Sequence, residues 1–385
     1  MIPIKYNVRS LFVRRGTTLM TIFSIALVVL VYVGVLALAG GIRVAFAATG
    51  DEATVMVTRD GAQAEMDSGF ATDTKRLLGT LPGVVKDADG EPIASGETMH
   101  LQILERADGS EANVSLRGVE DEAFALRPWL EIVDGRRFEP GKKEVIVGAN
   151  LVDRFPALEL GKQIRFGRDT FRVVGVFDGG AYSSEVWGAV NDFGDSFRRS
   201  NYYSSTRVKV ASPSAVPELI DRIEADQRLQ VQAEGEAEYY ARQSATNSQL
   251  FVILANLLAF FMAFGACFAA ANTMYAQVSS RSKEIGTLRA LGFKRRNIVA
   301  AFLIEATVLG LVAGLVGALL APPLNAVTAG TMSQTSFSEL TFALRTTPIA
   351  LASGIGLAVF TGILGGLPPA LRAARRPISE LLREA

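Results

Sequence analysis

The chain is poor in the residues that most enzymes rely on. Its 385 residues include one cysteine, one histidine and two tryptophans. Cys267 cannot close an intrachain disulfide and lies inside an apolar run, so neither a disulfide framework nor a cysteine zinc site is available. With His100 as the single histidine, a His-dependent triad or a multi-histidine metal centre lacks material. A phosphate-cradling P-loop is missing too. "EPGKKE" around Gly141 and "ELGKQI" around Gly161 lack both the first glycine and the Ser/Thr, and read as turn glycines followed by surface lysines. H-E-x-x-H, C-x-x-C and G-x-S-x-G do not occur. Acidic pairs such as Asp87/Asp89 and Asp121/Glu122 sit in loop-like sequence and read as solvated surface. The 39 basic residues balance the 39 acidic ones, so no bulk affinity for nucleic acid follows. The expectation is no catalytic residue, no metal site and no cofactor in this chain.

What the chain has is apolar length, concentrated at its two ends. Four runs reach the roughly 20 residues needed to cross a bilayer as a helix: about 17–38, 250–274, 298–320 and 348–367. Their continuity argues against barrel strands, which alternate. "AFAA" at Ala45–Ala48 resembles a signal-peptide cleavage site, but the apolar core before it exceeds the roughly 7–15 residues of such peptides, so a retained anchor is expected. Lys5, Arg9, Arg14 and Arg15 precede the first span. Arg281, Lys283, Arg289, Lys294, Arg295 and Arg296 join spans two and three, and Arg372, Arg375, Arg376 and Arg383 follow span four. By the positive-inside rule these flanks and both termini face the cytoplasm, and the long segment between spans one and two faces outward.

The outward segment has αβ character. "ATVMVTRD" alternates like a strand, "EVIVGANLV", "GKQIRF", "TFRVVGVF" and "STRVKV" read as strands, and His100 lies in another, "GETMHLQIL". "TDTKRLLGTL", with Thr72 as cap, and "SPSAVPELIDRIEADQ", with Ser212 or Ser214 as cap, read as helices. "GEAEYYARQSATNSQ" reads as a polar helical stalk running into span two. Inside the spans, Asn256 and Asn272 are expected to bond between helices. Glu305 is expected to take a structural pairing or snorkelling role near Arg295 and Arg296.

Between spans two and three lies "SSRSKEIGTLRALGFKRRN" (Ser279–Asn297). Ile285, Leu288 and Leu291 fall on one helical face, Glu284 sits one turn from Arg281, and Gly292 follows where a helix ends in a left-handed residue. The residues describe a short amphipathic cytoplasmic helix. Taken alone they leave open whether it rests on anionic membrane lipid or docks a protein.

Here the chain resembles a family. "RSKEIGTLRALGFKRRNIVAAFLIEATVLGLVAGLVG" looks like the signature of MacB/FtsX-type (type VII) ABC transporter permeases. "NVRSLFVRRGTTLMTIFSIALVV", the "DGRRF…VVGVFDGG" stretch and "LPPALRAARRPISELLREA" resemble the family's first span, outer domain and tail. The resemblance covers nearly the whole chain, in order. It implies a membrane protein with four transmembrane helices plus an α+β extracytoplasmic domain, in which a porter-like subdomain carries an inserted strand-rich one. The expected division is 1–47 (cytoplasmic amphipathic helix and first span), 48–245 (outer domain, with 48–129 and 201–235 porter-like, 130–200 inserted and 236–249 the stalk) and 250–385 (remaining spans, coupling helix and cytoplasmic tail). The family's ATPase-coupling helix falls on Lys283, Glu284, Ile285, Leu288, Arg289, Leu291 and Gly292. Phe293 stands where many relatives have Ala or Thr.

Further implications are an inner-membrane location, a separate cytoplasmic ABC ATPase binding ATP and magnesium, and a second permease copy in a homodimer or heterodimer. A periplasmic adaptor and an outer-membrane channel accompany efflux members. Export is the expectation. Lipoprotein extraction, or non-transporting mechanotransmission to an envelope enzyme, remains the alternative.

Overall fold

The computed structural model describes residues 15–333 and 337–383. The expected amphipathic N-terminal helix and its basic residues Lys5, Arg9 and Arg14 lie outside the described residues. The chain divides into a helical unit, Met1–Gly40, Gln249–Val327 and Leu344–Ala385, and an αβ unit, Gly41–Ser248 and Thr328–Ala343.

Four helices among the described residues are long and apolar enough to cross a membrane. They cover Arg15–Ala47, Glu236–Ser280, Arg295–Leu320 and Pro348–Arg375. Each outlasts the apolar run that marks it, because flanking polar residues extend the helix without breaking its hydrogen bonding. Small residues set the packing in the helical unit. A Cβ on Gly310 would lie 2.7 Å from the Ala358 carbonyl, and one on Gly362 2.7 Å from that of Ala306. Only glycine lets these backbones approach so closely. Polar links are few: the hydroxyls of Thr21 and Thr273 lie 2.5 Å apart, and Tyr32 donates to Asn256 Oδ1 at 3.3 Å. Thr347 caps the last helix, accepting from Ala350 N at 3.2 Å, with Pro348 at the first position, where no N–H is needed. Near its far end Pro368 and Pro369 lie inside the helix. They cannot donate to the carbonyls of Leu364 and Gly365.

Among the described residues, the αβ unit is built on fourteen strands. In chain order they are β1 (Thr54–Arg59), β2 (Phe70–Ala71), β3 (Ala94–Glu105), β4 (Glu111–Val119), β5 (Glu131–Gly135), β6 (Glu144–Gly148) and β7 (Gln163–Phe166). There follow β8 (Asp169–Asp178), β9 (Glu185–Ala189), β10 (Tyr202–Tyr203), β11 (Ser205–Lys209), β12 (Val231–Gly235), β13 (Thr328–Met332) and β14 (Glu339–Ala343). Ten of them form one sheet in the order β12-β1-β11-β3-β4-β9-β6-β8-β5, with β7 added on β8. The β4–β9 and β6–β8 pairs are parallel. The β7–β8 hairpin turns through Gly167–Arg168, and Gly167 has φ +58°, a conformation glycine adopts without strain.

Among the described residues, two apolar cores lie in this unit. Val55, Val57, Val208, Leu219 and Ile223 build one, between the β1 end of the sheet and the helix Val216–Ala225. Phe155, Phe166, Phe171 and Phe193 dominate the other. Leu104, Val114 and Leu116 of the long β3–β4 pair belong to the second core and Ala94, at the start of β3, to the first, so this pair serves both.

Several local expectations change. Only Glu144–Gly148 of "EVIVGANLV" is a strand, and Ala149–Val152 is a helical turn. Gly148 there passes so close to Ser183 that a Cβ would meet its carbonyl at 2.2 Å. Thr72 occupies the cap position without a capping bond. The hydroxyls of Ser212 and Ser214 bond to each other at 2.8 Å instead of capping. The connection between spans three and four is more than a loop: β13 and β14 form a hairpin within the αβ unit. Glu339 pairs with Arg106 at 2.8 Å and also with Arg154, and the Thr341 carbonyl accepts from Asn150 at 3.0 Å.

Candidate functional site

The charged stretch between spans two and three forms the helix Ser282–Ala290. Its end is built as the glycine suggests. Gly292 has φ +92°, Gly292 N donates to Arg289 O at 3.1 Å, and Phe293 N donates to Leu288 O at 3.1 Å. This pair of bonds is the Schellman arrangement, which satisfies carbonyls the helix would otherwise leave open.

The structure divides the residues expected to couple to an ATPase into two sets. Ile285 is buried, and with Leu288 it packs onto the chain's own Ile298, Phe302, Ala370, Ala373 and Leu381. Lys283, Glu284, Thr287, Leu291 and Gly292 are exposed. Leu291 leaves the apolar face because the helix ends before it, and its side chain is 73% exposed. Arg289 reaches the last span, donating Nη1 to the carbonyls of Ala374 and Arg376 at 2.9 and 3.0 Å. There it complements a helix C-terminus. Arg281 holds Glu284 at 3.0 Å on one side and Glu305 at 3.3 Å on the other.

Glu305 is therefore a buried ion-pair partner, though not of Arg295 or Arg296, which are exposed. Ten residues of helix put about 15 Å between Arg295 and Glu305, whereas Arg281 arrives from the neighbouring span. Asn256 makes an interhelical bond, with Tyr32, and Asn272 is exposed.

A second constellation lies in the αβ unit and was invisible in the sequence. Arg117 on β4 donates Nη1 to Glu65 and to Glu97, both at 2.8 Å, and Nε to Glu185 at 2.7 Å. Arg207 on β11 donates Nη1 to Glu97 at 2.7 Å and Nε to Glu236 at 2.7 Å. Arg127 donates to Glu97 at 2.7 Å, and Ser205 to Glu65 at 2.6 Å. The Tyr182 hydroxyl meets that of Tyr240 at 2.6 Å. The three arginines are at most 2% exposed. Charges removed from water this completely persist only where each is met by several partners.

Burial by itself would raise Glu65 and Glu97. Arg117 and Arg207 override it for Glu65, and Arg127, Arg207 and Arg117 for Glu97, and both carboxyls sit below the usual range. Burial disfavours the charged guanidiniums of Arg117 and Arg207, but the surrounding carboxylates hold them well above their ordinary value. Burial pushes Tyr182 up to about 12. Glu65, Glu97, Arg117 and Arg207 keep fixed charges near neutral pH and Tyr182 stays protonated, which suits a rigid cluster and not acid–base chemistry. Glu236, which accepts from Arg207, is the first residue of the helix that continues to Ser280.

His100 lies elsewhere in the αβ unit, buried and stacked on Phe197 with ring centroids 4.3 Å apart. It is a core residue. Burial, and then the charge of Arg199, lowers its pKa to about 4. Asp87 serves a turn, accepting from Asp89 N and Glu91 N at 2.9 Å each.

Comparison with known families gives two matches along the chain. The family model of the MacB-like periplasmic core domain matches residues 18–226, and that of the FtsX-like permease C-terminal region matches residues 256–378. The chain belongs to the MacB/FtsX family of ABC transporter permeases. The second match contains the helix Ser282–Ala290 and the last two spans. A macrolide export ATP-binding/permease protein MacB from Agrobacterium fabrum is 27% identical over 303 residues, 71% of this chain and 44% of the relative. A pyoverdine export ATP-binding/permease protein PvdT from Pseudomonas syringae pv. tomato is 26% identical over 334 residues, 76% of this chain and 48% of the relative. The chain thus spans less than half the length of these curated relatives. Among solved structures, the periplasmic region of MacB from Actinobacillus actinomycetemcomitans is similar at 16% identity and TM-score 0.39, covering 52% of this chain and 95% of that one. With four membrane-length helices and a permease's family, the chain is an inner-membrane protein.

Proposed function

We propose that this permease couples ATP hydrolysis by a separate cytoplasmic ABC ATPase, which holds ATP and magnesium, to movement of its αβ unit outside the membrane, in the direction of export. Both termini and the helix Ser282–Ala290 face the cytoplasm, the αβ unit faces the periplasm, and two permease copies work together with an adaptor and an outer-membrane channel. The observation that carries the reading is how the short helix is held. Its inner face, Ile285 and Leu288, is seated in the permease core, Arg281 ties it to Glu305, and Arg289 ties it to the end of the last span. Its outer face, Lys283, Glu284, Thr287 and Leu291, is left exposed. A push on that face reaches several spans at once. The family match and the basic flanks support the cytoplasmic placement. The names of the relatives, which speak of macrolide and pyoverdine export, support the direction.

The test uses Lys283→Glu with Leu291→Glu, two exposed positions whose change leaves the core intact. Copurification with the ABC ATPase should fall at least about tenfold, as for loss of a central interface contact, while the permease keeps its thermal midpoint. Wild-type recovery of the ATPase, with turnover still responsive to the permease, would overturn the proposal.

A further inference from the structure

The last span ends in a feature that neither the short helix nor the ion cluster uses. Phe360, Leu364, Pro368 and Leu371 are all exposed. Spacings of four, four and three residues set them in one row along a helix. The row leads to Arg375, four residues beyond Leu371, with Arg372 beside it, and both arginines are exposed. An open cleft of about 470 Å³ lies there, lined by Pro368, Leu371, Arg372, Arg375 and Arg376.

The Arg372 guanidinium sits over the ring of Tyr275, 5.8 Å from its centre. Tyr275 belongs to the second span's helix, so one cation is positioned from a neighbouring element. Among the described residues, the ion pairs of the helical unit join Arg281 to Glu284 and to Glu305, and neither Arg372 nor Arg375 meets a carboxylate. From Phe360 to Arg375 the helix rises about 22 Å. That is about the depth of one leaflet including its headgroups.

We infer that this cleft binds one anionic phospholipid, with the phosphate between Arg372 and Arg375 and an acyl chain along Leu371, Pro368, Leu364 and Phe360. The charge and the apolar row select the occupant together. A zwitterionic lipid brings its own cation toward two guanidiniums, and a free phosphate ester has nothing to lay on the row. The site also bears on the short helix, because Arg289 is bonded to the carbonyls of Ala374 and Arg376 at the same helix end. A bound lipid therefore steadies the residues on which that helix is moored.

The test is native mass spectrometry of the purified full chain in mild detergent, titrated separately with phosphatidylglycerol, phosphatidylcholine and glycerol phosphate. Phosphatidylglycerol should bind at least about tenfold more tightly than phosphatidylcholine, and glycerol phosphate should neither bind nor compete. R372Q/R375Q should weaken phosphatidylglycerol about thirtyfold, as expected for removing two interfacial cations. R372K/R375K should keep most of the binding, and R345Q, at the other end of the same span, should keep all of it. If R372Q/R375Q does not fold, L371E, which places a negative charge on the rim, should give the same loss. Equal binding of the two lipids, competition by glycerol phosphate, or wild-type lipid binding by R372Q/R375Q or by L371E overturns the site.

Discussion

The two units solve the same packing problem with opposite materials. In the αβ unit, buried arginines and glutamates meet between strands, and Glu97 alone accepts from Arg117, Arg127 and Arg207. In the helical unit, glycines bring backbones together, and the buried carboxylate Glu305 has Arg281 as its partner. The difference follows from solvent. The interior of a sheet can draw charged side chains from several neighbouring strands and satisfy them mutually. Helices in hydrocarbon gain little from apolar contact with one another, so close backbone approach does the holding. Charge placement is thus the sensitive variable in one unit and side-chain volume in the other.

The largest effect should come from Glu97→Ala, which leaves three buried guanidiniums short of an acceptor. Breaking a buried pair by removing one partner costs about 3–5 kcal/mol. Both tryptophans, Trp129 and Trp187, lie in the αβ unit, so tryptophan fluorescence during unfolding reads that unit. A midpoint unchanged from wild type would show that the cluster does not hold it.

Acid comes next. His100 is held at about 4 when folded, below the ordinary value of about 6.5. Between those values the unfolded chain takes up a proton that the folded one refuses. His100 therefore contributes its full stability above about pH 6.5 and loses it as the pH falls toward about 4, on the order of 3 kcal/mol across the window. The depressed Glu65 and Glu97 lose their share only at lower pH, below the ordinary carboxylate range. The same fluorescence measured from pH 7 to pH 4.5 should fall steeply for wild type and less so for His100→Phe. Parallel curves would remove His100 from the account.

The smallest of the three belongs to the helical unit. Gly362→Val puts atoms where a Cβ alone already meets the Ala306 carbonyl at 2.7 Å. Overpacking of this kind costs about 1–3 kcal/mol. Helical circular dichroism in detergent should show a lower melting midpoint while the tryptophan signal stays put. A shift of both signals together would mean that the two units do not respond separately.

The spans and the short helix Ser282–Ala290 were legible because their signals are local: an apolar run, an i, i+3 stripe, a glycine at a helix end. The strands "GKQIRF" and "TFRVVGVF" were legible for the same reason, since alternation shows in a few residues. The ion cluster was not. Its members run from Glu65 to Glu236, each alone in an unremarkable stretch, and only the strand order brings Glu97, Arg117 and Arg207 side by side. The partner of Glu305 was missed similarly, because proximity in sequence favoured Arg295 and Arg296 while the fold supplied Arg281. The β13–β14 hairpin gave little warning, as "TAGTM" carries almost no alternation and its partners, Arg106 and Arg154, lie far away in sequence. Leu291 was misplaced by extending a helical wheel past the residue that ends the helix.

The paired prolines of the last span give it two mechanical lengths. At Leu364 and Gly365 the ladder of backbone bonds is interrupted, so bending there sacrifices no hydrogen bond that an unbroken helix would lose. The segment ahead of the interruption is the one whose Gly354 and Gly362 press against neighbouring helices, and it is stiff by crowding. The segment beyond it carries Arg372, Arg375 and the carbonyls that Arg289 grips. Because Ala370 and Ala373 beyond the prolines share a core with Ile285 of the short helix, the basic end and that helix form one packed block on the far side of the interruption.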